Sequence, residues 1–166
     1  MRRIRWAGVI VGAAATALIS FLLALFVSSV IVARLYRAFI AEGAGMTARE
    51  DALFNILSGV SHLVAVLLAF FLGGLVAGGV AAAFPGLNGA VGAAVVALGS
   101  FAWFVAPLVP WIWEPISNPG EVYTRFENLG NLLRVSLAHC AVLPFVVLAG
   151  YAGGKLGGRL RNRSWP

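Results

Sequence analysis

The chain has 166 residues, 61% of them apolar and 11% charged, with a mean hydropathy of +0.94. A soluble domain is about 45–50% apolar and about 25% charged, which excludes a soluble enzyme, a secreted disulfide scaffold and a disordered tail, and leaves a polytopic membrane protein. The net charge of +6 sits mainly at the two ends, in Arg2, Arg3 and Arg5 and in Lys155, Arg159, Arg161 and Arg163. These cations are not interleaved with aromatics as a nucleic-acid surface requires, and Cys140, the only cysteine, permits no internal disulfide or CxxC pair.

From Trp6 to Ala33 no residue carries a formal charge, enough for one helical crossing of a hydrocarbon core about 30 Å thick. The 62 residues from Ala52 to Trp113 also lack Asp, Glu, Lys and Arg. As one helix they would exceed about 90 Å, so the chain must turn back. Phe84-Pro85-Gly86-Leu87-Asn88 supplies the breaker. A fourth apolar run follows Arg134. The expected spans are therefore about 6–33, 52–84, 88–113 and 134–155. The first is about twice as long as the apolar region of a signal peptide, and it reads as a retained helix.

Positively charged ends and an even number of crossings place both termini and the 84–88 turn in the cytoplasm. The two longer loops then face out. There Arg34, Arg37 and Arg49 meet Glu42, Glu50 and Asp51, and Glu114, Glu121 and Glu127 outweigh Arg125 and Arg134. Trp111 and Trp113 suit an outer aromatic belt, and Trp6 an inner one. Gly43-Ala44-Gly45 reads as a turn, and Thr47 with Glu50 as a capping box that starts helix two near Ala48. Ser117-Asn118-Pro119-Gly120 reads as a second turn. Val122, Tyr123, Phe126 and Leu129 beyond it recur at helical spacing, as in a short interfacial helix or an ordinary loop.

An internal repeat is visible. Val11-Gly12-Ala13-Ala14, Ala17-Leu18 and Ser20-Phe21 recur at an offset of 80 as Val91-Gly92-Ala93-Ala94, Ala97-Leu98 and Ser100-Phe101. At an offset of 76, Asn55, Leu57, Ala65, Val66, Leu67, Leu72, Gly74 and Gly78 match Asn131, Leu133, Ala141, Val142, Leu143, Leu148, Gly150 and Gly154. The expected fold is thus an all-α, four-helix membrane domain made of two parallel helical hairpins, residues 1–83 and 84–166. Its packing glycines are Gly8, Gly12, Gly74, Gly78, Gly92, Gly150 and Gly154, because small residues let helices approach closely in lipid. They serve either the bundle itself or a homo-oligomer.

The stretch Phe71-Leu72-Gly73-Gly74-Leu75-Val76-Ala77-Gly78-Gly79, then Asn88-Gly89-Ala90-Val91-Gly92, and the closing Gly150-Tyr151-Ala152-Gly153-Gly154-Lys155-Leu156-Gly157-Gly158, resemble a group of small bacterial four-helix membrane proteins with no established activity. The resemblance implies a four-helix fold in a bacterial plasma membrane and no particular chemistry.

Chemistry has few candidates. Spans one to three hold no Asp, Glu, Lys or Arg, and no GxSxG elbow or HExxH pair occurs, so no enzyme activity is expected. His62 and His139 are the only histidines. They fall one residue out of register at the offset of 76 and at nearly equal depth on equivalent helices. Two such imidazoles are what bis-histidine haem b ligation needs, with Gly59 and Ser136 small enough to admit the macrocycle and Arg34 or Arg134 to meet propionates. The plainer alternative is two histidines near the outer interface that face water or bond a carbonyl. Arg34 and Glu114 end equivalent helices, and an exposed pair between them is worth only about 0–1 kcal/mol. The expected function is a structural or accessory subunit that partners the bilayer and either a second copy or another membrane protein. A haem-binding electron carrier and a passive pore for a small neutral solute are the alternatives.

Overall fold

The computed structural model describes residues 6–39, 46–81, 83–106 and 119–164, and the secondary structure among them is helical. The expected Gly43–Gly45 turn, Trp111, Trp113, Glu114 and Arg2, Arg3 and Arg5 lie outside those residues. Helix α1, Trp6–Phe26, passes through a π-helical stretch, Val27–Val32, into α2, Ala33–Phe39. Helix α3 is Ala48–Val80, α4 is Pro85–Val105 and α5 is Pro119–Ser164. Four helical segments are long and apolar enough to cross a membrane: Trp6–Phe39, Ala48–Val80, Pro85–Trp103 and Asn128–Asn162.

Local chemistry explains most of the boundaries. The first rod continues past the expected end near residue 33, through exposed Arg34 and Arg37. Tyr36 and Phe39 there stack edge-on against Phe54 of α3, at centroid distances of 6.1 and 6.4 Å. Ser29 Oγ, inside the π stretch, donates to the Leu25 carbonyl at 2.6 Å, a side-chain competitor for the α-helical ladder in a β-branched run. Helix α3 starts as its capping box dictates. The Thr47 amide donates to Glu50 Oε2 at 2.8 Å, and the Glu50 amide returns a bond to Thr47 Oγ1 at 3.4 Å. The bonds from the Thr47 backbone and hydroxyl hold the Glu50 carboxyl below its ordinary pKa.

The turn between α3 and α4 is tighter than expected, with α4 starting at Pro85 rather than 88. Pro85 suits the first turn, where no backbone donor is needed. Phe84 adopts the left-handed conformation (φ 51°, ψ 52°). Asn88, fully buried, stabilises this turn by donating from Nδ2 to the Ala83 and Phe84 carbonyls at 2.7 and 3.1 Å. The last helix has 46 residues, close to 70 Å at about 1.5 Å per residue. Its first turns include the 121–129 segment, which is continuous with α5 rather than a separate helix.

Helices α3 and α4 touch each other in the middle of the bundle, with α1 packed on both from one side and α5 on both from the other. The α3–α5 interface is the most extensive. Phe70, Ala93 and Val146 form the buried cluster, with Leu67, Val96, Ala97, Val142, Leu143 and Ala149 around it. On α5, burial begins at Val146 and runs to Gly158, so this helix packs most closely near the 81–88 turn. Large apolar side chains such as Ile10, Phe21, Ile56, Leu98, Trp103, Leu133 and Leu148 point outward.

Candidate functional site: glycine interfaces and two histidines

The helices meet where side chains are missing. A methyl built on Gly8 would lie 3.0 Å from Ala81 Cβ, and one on Gly12 would lie 3.1 Å from Ala77 Cα and 3.2 Å from the Gly73 carbonyl. A Cβ on Gly73 would overlap Thr16, whose buried hydroxyl donates to the Gly12 carbonyl at 2.8 Å. Across α3–α5, a Cβ on Gly74 would stand 2.8 Å from Gly150 Cα, and one on Gly78 2.8 Å from Gly154 Cα. Real Cβ atoms do not approach this closely, so only glycine fits there. Methyls on Gly153 and Gly157 would run into the Phe71 and Leu75 carbonyls.

Helices α4 and α5 are equally close. A Cβ on Gly150 would lie 2.6 Å from Ala93 Cβ, and one on Gly89 3.1 Å from Gly154 Cα. Gly92 makes ordinary contact with α1, with its Cβ position 3.4 Å from the Val9 carbonyl. Gly8, Gly12, Gly74, Gly78, Gly92, Gly150 and Gly154 therefore all sit at helix contacts. Sequence reasoning missed Thr16 and Gly86, which lies against the Tyr151 ring, as interface residues and passed over the glycine-to-alanine step Gly89–Ala93, whose i, i+4 spacing was the available signal.

The two interfaces share one pattern. Shifting Gly8, Gly12, Thr16, Gly73, Ala77 and Ala81 by 77 residues gives Pro85, Gly89, Ala93, Gly150, Gly154 and Gly158. The contacts shift with them: Gly8 to Ala81 becomes Pro85 to Gly158, Gly12 to Ala77 becomes Gly89 to Gly154, and Thr16 to Gly73 becomes Ala93 to Gly150. The contact register is thus 77, between the two sequence offsets of 80 and 76. At 76, the matched glycines Gly74 and Gly150, and Gly78 and Gly154, are the ones that touch each other across α3–α5.

The same shift carries His62 onto His139 and Ser58 onto Val135. His62 Nδ1 lies 2.8 Å from the Ser58 carbonyl and His139 Nδ1 lies 2.9 Å from the Val135 carbonyl. A carbonyl only accepts, so each Nδ1 carries the proton. The imidazoles then diverge. His62, half-buried, turns to α1, its Nε2 3.5 Å from Ser28 Oγ in the π stretch. His139, exposed, turns to α4, its ring 5.6 Å from that of Phe101. Near them, Gly59 has open space at its Cβ position and Ser136 is half-buried, while Arg34 and Arg134 are exposed.

No family model, no curated protein and no solved structure matches the chain.

Proposed function

We propose that the chain is a four-span plasma-membrane protein of a bacterium, with both termini cytoplasmic, and that it acts as a structural or accessory subunit. The observation that carries this reading is the direct backbone contact along α3–α5 and α4–α5, where Gly74, Gly78 and Gly89 meet Gly150 and Gly154. Backbone meets backbone along this stretch, from Gly150 to Gly158 on α5, which favours a packing role over a passive pore. The outward Leu, Phe and Trp side chains suit contact with lipid or with another membrane protein. The shared contact register of 77 residues supports a duplicated hairpin as the origin of the bundle. The bis-histidine haem carrier stays the alternative, with His62 Nε2 facing Ser28 of α1 and the His139 ring beside Phe101 of α4.

The test is in-membrane cross-linking of the full chain followed by mass identification. Reproducible adducts with a second copy or with one defined membrane protein are expected. A chain that cross-links to nothing would overturn the accessory role.

A further inference from the structure

Charge is segregated along this bundle. Among the described residues, the acids Glu50 and Asp51 lie in the first turn of α3, and Glu121 and Glu127 in the first turns of α5, at one end. At the opposite end, Lys155, Arg159, Arg161 and Arg163 occupy the last turns of α5, with no acid among them. These last turns are held firmly. Gly158 lies against Pro85, and Arg161 Nη1 donates to the Ala81 carbonyl at 2.6 Å, capping the C-terminal end of α3. Arg161 is therefore engaged inside the protein. Lys155 and Arg159, one turn apart on the same face, are exposed, and beside them stand exposed Leu156 and Leu160.

Cations alternating with leucines, fixed beside the turn between two apolar helices, suit the boundary between headgroups and acyl chains. We propose that the end of α5 is a binding site for anionic phospholipid, with Lys155 and Arg159 contacting the headgroup phosphate and Leu156 and Leu160 covering the upper acyl chain. The proposal rests on the membrane-spanning reading above. It adds to orientation by charge a defined lipid contact held by the Arg161–Ala81 bond.

Native mass spectrometry of the full-length protein, with phosphatidylglycerol or phosphatidylcholine added, tests it. The expected result is preferential retention of phosphatidylglycerol. Lys155→Gln and Arg159→Gln should each reduce that preference roughly fivefold, while the swap Lys155→Arg with Arg159→Lys should keep it. Circular dichroism checks that the variants stay folded. Equal retention of both lipids, or a preference unchanged in the double Gln variant, would overturn the site. Displacement of the lipid by inorganic phosphate at equal concentration would also overturn it, by showing a bare phosphate site instead. Flotation with pure phosphatidylcholine vesicles after an alkaline wash separates the two readings. Flotation without lipid preference removes only the headgroup site, and absence of flotation removes the spanning reading itself.

Discussion

At the residue scale, two buried polar groups show how differently hydrogen bonding weighs. Asn88 is fully buried and makes two bonds from Nδ2 that hold a turn containing left-handed Phe84. Asn88→Leu keeps the branched shape, is bulkier and removes both bonds, leaving the two turn carbonyls without this donor. It should cost about 1–3 kcal/mol, read as a lower unfolding midpoint in detergent. Ser20 makes no such bonds: its Oγ, like Asn88 Oδ1, is buried with no partner among the described residues. Ser20→Ala removes an unpaired hydroxyl and should leave the midpoint unchanged or raise it slightly. The sequence made neither role legible. Asn88 reads there as one residue of a turn, and Ser20 as a match in a repeat, since burial and pairing depend on which helix lies opposite.

At the element scale, short-range chemistry was readable and long-range register was not. Thr47 and Glu50 announce the start of α3 from four residues, and the helix starts there. The ends of the first rod and of α5 were not announced, because Arg34, Arg37 and Pro119 read as interruptions whereas helix continues through or from them. The capping box also carries a pH dependence. The folded pKa of Glu50 is lowered, so its contribution is present above the unfolded carboxylate pKa and is lost as pH falls through the folded value. Protection of the first-turn amides of α3 against exchange, relative to their intrinsic rates, should therefore fall selectively at acid pH, and Glu50→Gln should flatten that dependence. Arg161 is the corresponding device at the other end of α3. Arg161→Met should loosen the last turn of α5 and speed exchange there, with little change near Phe54.

At the scale of the whole molecule, GxxxG spacing marked glycine-rich helix faces without saying what they meet, and two different offsets in the sequence hid the single contact register of 77 that relates the two hairpins. Identities accumulate wherever Ala and Gly are common, whereas contacts follow the positions at which backbones meet. The central claim is that these contacts hold the four helices together, and parallel thermal unfolding of four glycine variants in the same detergent tests it most directly. Gly78→Ala and Gly154→Ala add a methyl where backbone of a neighbouring helix already lies, while Gly59→Ala and Gly99→Ala add one into open space. The first two should lose roughly 1–3 kcal/mol or more from overpacking. The second two should hold or gain up to about 1 kcal/mol from helix propensity. Equal, small effects at all four positions would contradict the glycine-locked bundle.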